Sequence, residues 1–451
     1  MKWLHHSLAA LIFLMLLSCA KKDDTPEIEP APEPEVAFEI PETDDVIMYE
    51  VNLRAFSATG DLQGVLKGLD HIKSLGVNVI WLMPIHPIGD INSVNSPYSV
   101  KNYKEVNPEF GTLTDLIALV EAAHEKHMAV ILDWVANHTA WDNPWITNKD
   151  WYTQDANGNI IPPEGTNWMD VADLNYDNQN MRLEMIEAMK FWLETADIDG
   201  FRCDAADMVP FDFWQEAIIA INDITDKDLI YLAEGARTDH FSAGFDLNFS
   251  WNYYNKLKDV FHGVSTPNIL FTIHQQSYNN MPAGKHKLRF TTNHDESAWD
   301  ATPMVIFDGK KGALSASAIT IFLGGVPLIY DGQEVGITEN IPFFTNSPIN
   351  WALNPDMLDT YKKMLNFYAF SEVVKKGELV TYNHLSVAIF TRGLGMDKVL
   401  VIANTRDENT TLTMPGELAN TNWIDVLSGA ALNINDHVDL SPYEFLILKG
   451  N

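Results

Sequence analysis

The most constraining feature of this chain is an alternation. Between Val46 and Glu334 eight apolar runs recur, with amphipathic helical runs between them. The strand candidates are Val46–Phe56, Val77–Ile85, Met128–His138, Gly200–Ala205, Leu229–Ala236, Phe245–Trp251, His286–Glu296 and Val326–Glu334. Most are apolar throughout, as expected for parallel strands covered on both faces. Thr112–His127 opens with a Thr-x-x-Asp cap signal, and Asn180–Asp197 repeats apolar residues at helical spacing. Eight such units predict a closed (β/α)8 TIM barrel.

The connection after the third strand is long, and residues 139–178 read as a short inserted domain. It carries Trp141, Trp145, Trp151, Tyr152 and Trp168. Inside it, Asp155–Asn159 reads as a hairpin turn around Asn157-Gly158, because the glycine position and final Glu of a calcium loop are missing. Beyond about Glu372 the pattern changes to period-two runs such as Leu385–Thr391 and Val399–Asn404. That change predicts a C-terminal antiparallel β-sandwich domain without helices. The catalytic barrel is thus expected over 44–371 and the β domain over 372–451.

The N-terminus reads differently. An apolar run, Leu8–Leu17, precedes Ser18-Cys19 and is too short to span a bilayer as a helix. It resembles a bacterial lipobox, which implies a signal over residues 1–19 and a lipid on Cys19. His5 and His6 belong to that leader. Residues 20–43 are rich in Pro and Glu and read as an extended tether, ~20 residues reaching roughly 60 Å. The expected location is that of an exported lipoprotein, in the outer membrane or at the cell surface. Only Cys19 and Cys203 are present, so no structural disulfide is expected. A formal charge of −32 excludes a nucleic-acid partner, which needs clustered Lys and Arg. It does not repel a neutral ligand.

Three strand candidates end in carboxylates: Gly200-Phe201-Arg202-Cys203-Asp204-Ala205, Ala233-Glu234-Gly235 and Thr292-Asn293-His294-Asp295. In a βα barrel the strand ends converge on the face that carries the chemistry. Paired carboxylates with unequal proton affinities suit glycosidic bond cleavage. Arg202, two residues before Asp204, is expected to hold that carboxylate ionised, as a nucleophile requires. Burial at a strand end is expected to raise Glu234, as a general acid requires.

As a set these segments resemble the α-amylase family, glycoside hydrolase family 13. Asp133-Trp134-Val135-Ala136-Asn137-His138 is similar to its first conserved segment, and Gly200–Ala205, Glu234 and Asn293–Asp295 to the next three. The resemblance implies a retaining mechanism. Asp204 attacks the anomeric carbon, Glu234 is the acid and then the base, and Asp295 holds and distorts the sugar. It further implies that Arg202, His138 and His294 contact that sugar, with Tyr98 stacked beneath it. Asn137 and Asp173 match family calcium ligands, although calcium is not required for the chemistry.

The implied activity is hydrolysis of α-1,4-glucosidic bonds in starch-like polysaccharides or maltooligosaccharides. A cyclomaltodextrinase or neopullulanase is the alternative, because Ala172-Asp173-Leu174-Asn175 is similar to that side of the family. A catalytically inactive glycan-binding surface protein is the competing class. The chain departs from the family pattern at Asp207-Met208, where many members carry Lys-His, and at Asn102, where Asp is common. One further motif, His124-Glu125-Lys126-His127, is one residue short of zinc-protease spacing and reads as a solvated helix face.

Overall fold

A computed structural model describes residues 38–450. The signal, Cys19 and most of the tether lie outside the described residues. Eight parallel strands close a barrel in sequential order: Met48–Val51, Val79–Leu82, Ala129–Trp134, Gly200–Cys203, Ile230–Ala233, Leu247–Phe249, His286–Arg289 and Val326–Tyr330. Each lies inside its sequence candidate, and the flanking residues form the turns that carry the site. Apart from His286 at the start of the seventh, every residue in these strands is buried, which explains their continuous apolarity.

The helices follow their end signals. Leu113–Glu125 starts at a capping box in which Thr112 accepts from the Asp115 amide and Asp115 answers to the Thr112 amide. Gln179–Ala196 stops where Asp197 turns left-handed at φ 53°. Gly200 opens the fourth strand at φ +147°, and a Cβ there would lie 1.9 Å from the Ile230 carbonyl oxygen. No other residue lets the fourth and fifth strands approach so closely.

The insertion after the third strand is held by a two-stranded ribbon, His138–Ala140 against Val171–Asp173. Asp155–Asn159 forms the expected turn, with the Asp155 carboxylate accepting from the Asn157 and Asn159 amides.

A six-stranded antiparallel sheet completes the chain, its strands running from Glu378 to Gly450. Alternation feeds two cores. Ala388, Phe390, Val399 and Val401 join the barrel's core, while Val387, Ile389, Leu400 and Ile402 join a smaller one. The expected sandwich is lopsided, because the second layer is only the ribbon of Thr410–Thr413 and His437–Leu440. The expectation of no helix beyond Glu372 is corrected by a short one, Glu372–Lys376, capped by Ser371. The expectation of a solvated His124 face is also corrected. The His124 ring stacks on Phe38 at 4.1 Å and contacts Asp199 at 2.7 Å.

Candidate active site

Register assembles the site. The third and fourth strands pair Asp133 with Arg202, and the fourth and fifth pair Cys203 with Ala233. Asp204 and Glu234 therefore leave the ladder side by side. The Glu234 amide donates to the Cys203 carbonyl and the Ala206 amide to the Glu234 carbonyl. Just past Asp204 the chain bends at Ala205, a non-glycine residue held left-handed at φ 44°. Such strain persists only where surrounding contacts impose it. Here the Ala205 amide donates to Glu234 Oε2 at 2.8 Å.

Arg202 is fully buried and serves three carboxylates. Nη1 lies 2.7 Å from Asp133 Oδ1 and 2.9 Å from Asp204 Oδ1, and Nη2 lies 3.0 Å from Glu234 Oε2. The guanidinium stacks over Trp81 at 4.9 Å. Asp133 also accepts from Trp81 Nε1 and from the Tyr98 hydroxyl.

This sharing inverts the expected proton affinities. Burial pushes Asp204 well above the usual carboxylate range, against the pull of Arg202, and the neighbouring carboxylates add to the rise. Burial also raises Glu234, but Arg202, the Ala205 amide, His294 and a hydrogen bond with Asp204 outweigh it and leave Glu234 low. Sequence proximity gave Arg202 to Asp204 alone. In the fold the guanidinium is divided, and Glu234 receives a backbone donor as well.

Asp295 lies in the first turn of the helix His294–Trp299, capped by Asn293, and opens onto the same cleft. The His294 ring stacks on Tyr98 at 5.4 Å, with Nε2 2.7 Å from the Tyr98 hydroxyl and 3.6 Å from Asp295. His138 reaches the cleft from the insertion ribbon, its ring 5.4 Å from Trp168. The fold thus gathers Asp204, Glu234, Asp295, Tyr98, His138 and His294 around one cleft of about 720 Å3, with Arg202 behind them. Trp299, Phe343 and Phe344 line another part of the cleft and were not expected from the sequence. Phe343 and Phe344 lie on an irregular segment, where periodicity carries no signal, and Trp299 ends the short helix His294–Trp299.

The Asp207-Met208 departure acquires a structural meaning. Asp207 accepts from the Ala236 and Arg237 amides and lies 3.3 Å from His240. It therefore braces the loop that follows Glu234. Met208 lines the cleft as an apolar, exposed side chain. The rim is fixed by Arg54. It donates to the Asn95 and Phe343 carbonyls, pairs with Glu109 at 2.7 Å, and its own carbonyl accepts from Ser347.

Asn137 and Asp173, the two residues matched to family calcium ligands, meet at the insertion ribbon. The Asn137 amide is engaged by the His138 ring at 3.3 Å, and Asp173 is raised by burial and the nearby Glu164 charge. Among the described residues no three His, Cys, Asp or Glu side chains gather to hold a metal. Calcium takes six to eight oxygens, so this pair alone is too few.

Comparison with known proteins agrees with this architecture. Residues 43–367 match the family described as alpha amylase, catalytic domain, and residues 378–447 match the maltogenic amylase, C-terminal domain. The chain is 25% identical to Alpha-amylase 3 of Dictyoglomus thermophilum over 90% of this chain and 93% of that one. Among solved structures it resembles the maltogenic α-amylase AmyB of Thermotoga neapolitana, at 26% identity and TM-score 0.81 over 91% and 99% of the two chains. An α-amylase from Lactobacillus plantarum superposes with TM-score 0.82 at 26% identity, over 91% and 100%. With the catalytic domain matched over most of its length, the chain belongs to the α-amylase family of glycoside hydrolases.

Proposed function

We propose that this protein is a retaining α-glucan hydrolase that cuts α-1,4-glucosidic bonds in starch-like polymers or maltooligosaccharides. The observation that carries the reading is two carboxyls, Asp204 and Glu234, touching one guanidinium. Groups that close leave no room for the extra water an inverting enzyme needs. Asp204 is the nucleophile, Glu234 the acid and then the base, and Asp295 the group that holds the sugar's hydroxyls.

The proton placement sets the first step. In the free site Asp204 and Glu234 are hydrogen-bonded to each other, so one proton can serve both. An anomeric centre gaining positive charge favours ionised Asp204. The proton then passes to Glu234 and on to the leaving oxygen, while Asp204 bonds to carbon. Water, deprotonated by Glu234, later releases the sugar. The aromatic wall and Met208 offer apolar surface to pyranose C–H faces.

A second reading, a cyclomaltodextrinase or neopullulanase, is favoured by the match of residues 378–447 to a maltogenic amylase domain. The deciding experiment gives the purified protein starch, pullulan and β-cyclodextrin in parallel, with Asp204→Asn as the blank. Rapid starch cleavage with the ring intact supports the first reading. Preference for the ring or for pullulan supports the second. Asp204→Asn should lower kcat by at least about 10^4-fold. A folded Asp204→Asn protein with full activity excludes both readings.

Lipid attachment at Cys19 and export to the outer membrane or cell surface complete the proposal, on the leader sequence alone. Loss of membrane association in Cys19→Ala is the test.

A further inference from the structure

A carboxylic acid sits under the site without an assigned role. Glu50 projects from the first barrel strand and is fully buried. Its Oε1 is in hydrogen-bond contact with His294 Nδ1. Its Oε2 has no partner. We propose that Glu50 is a positioning residue: held un-ionised, it donates to His294 Nδ1 and fixes His294 as the neutral tautomer whose Nε2–H donates to the Tyr98 hydroxyl at the cleft wall. This rests on the reading above that the cleft binds a sugar.

Proton counting carries the inference. His294 Nε2 contacts the Tyr98 hydroxyl at 2.7 Å, and that hydroxyl contacts Asp133 Oδ2 at 3.0 Å. Asp133 also takes N–H donors from Trp81 and Arg202, so it acts here as an acceptor. The single Tyr98 proton therefore goes to Asp133. Tyr98 must then accept from His294, and Nε2 must carry a hydrogen. Were Nδ1 protonated instead on a neutral ring, Tyr98 would face two acceptors with one proton. A doubly protonated ring is opposed by burial, which holds His294 below the usual imidazole range. Nδ1 is thus a lone pair, and Glu50 must supply the hydrogen to it.

The surroundings of Glu50 agree. A carboxylate with one oxygen sealed from water and unpartnered is costly, whereas an acid's carbonyl oxygen loses less. Burial raises Glu50 well above the usual range, against the pull of Arg202 and of a hydrogen bond from the His294 backbone, with the Glu234 charge adding to the rise. That guanidinium is occupied by Asp133, Asp204 and Glu234. The groups that face the dyad are Asp331 beside Glu50 and Tyr98, Asp133, Arg202, Glu234 and Asp295 around His294. The proton chain runs Glu50, His294, Tyr98, Asp133. It holds His294 Nε2 3.6 Å from Asp295, at the wall of the cleft.

The tautomer is read first in the intact, sugar-free protein, by 15N NMR of its histidines, with His294→Gln assigning the signal. The expected result is a protonated Nε2 and bare Nδ1 from pH 5 to 8. A protonated Nδ1 overturns the proposal whatever the protein hydrolyses. Kinetics follow. Gln can donate to Nδ1 as an acid does, so Glu50→Gln should keep kcat/KM within a factor of ~3 and leave the pH profile in place. Glu50→Leu, checked for folding by its melting temperature, should lose about 10–100-fold. Loss of activity or a shifted acid limb in Glu50→Gln overturns the proposal, because Glu50 would then act as a carboxylate. Should the parent protein cleave no α-glucan, the reading of the cleft fails while the NMR result stands.

Discussion

Two sets of buried acids lie within a single barrel and are treated in opposite ways. At the mouth, Asp133, Asp204 and Glu234 share the Arg202 guanidinium. Where the first and eighth strands meet, Glu50 and Asp331 touch no cation, and each leaves an oxygen without a partner. Burial raises both of these well above the usual carboxylate range. A carboxylate stripped of water needs a paired cation or a proton. The mouth divides one cation among three acids that do chemistry, and the first and eighth strands leave theirs without one, for hydrogen bonding. The fold sets this division by supplying one arginine.

The most severe way to break the contrast is to remove that arginine. Arg202→Met should abolish measurable turnover and lower stability at pH 7 by about 3–5 kcal/mol. Part of the loss should return at pH 5, as the stranded carboxylates take up protons. Denaturant melts at both pH values check this. A variant as stable as its parent would mean that Arg202 does not hold the cluster.

A smaller change sharpens the other half. Asp331 has a folded pKa above its unfolded one, so it favours folding below the unfolded pKa. That contribution is lost as pH rises towards the folded pKa. Asp331→Asn removes the titration. The variant should gain on the parent by up to about 1.4 kcal/mol per pH unit above roughly pH 4. Equal pH slopes for the two proteins would show that Asp331 is not held neutral.

Strain offers a finer probe. Ala205→Gly relieves a left-handed alanine at the mouth, and should stabilise the fold by up to about 1 kcal/mol while loosening Asp204 and lowering kcat. Unchanged kcat would mean that the bend does not aim the carboxylate. The smallest expected effect is that of a chelator. EGTA should leave both the melting temperature and the starch rate unchanged, because no step assigned to Asp204, Glu234 or Asp295 uses a metal. A fall in either would show that a cation matters.

The sequence made the strands legible because a doubly covered strand is mostly apolar, with buried exceptions such as Glu50, Asp133 and Arg202 that carry the site. It placed Asp204, Glu234 and Asp295 at converging ends because barrel topology allows nothing else. The location of the protons was not legible. It depends on a guanidinium reaching Asp133, 69 residues away, and on a backbone donor to Glu234 that only the Ala205 bend provides. Glu50 left a trace, a lone acid inside Met48–Val51, but its partner His294 is 244 residues distant. His124 misled for a related reason. Its helix face is polar, yet Phe38 and Asp199 arrive from elsewhere to cover it.

The rim carries a final consequence. Arg54 ties three separate loops to one rigid point beneath the cleft's edge. Opening that edge would strand a buried guanidinium, which resists widening of the cleft there. The clamp makes this edge of the cleft a stiff frame, so its shape is set by the fold and not by whatever enters it.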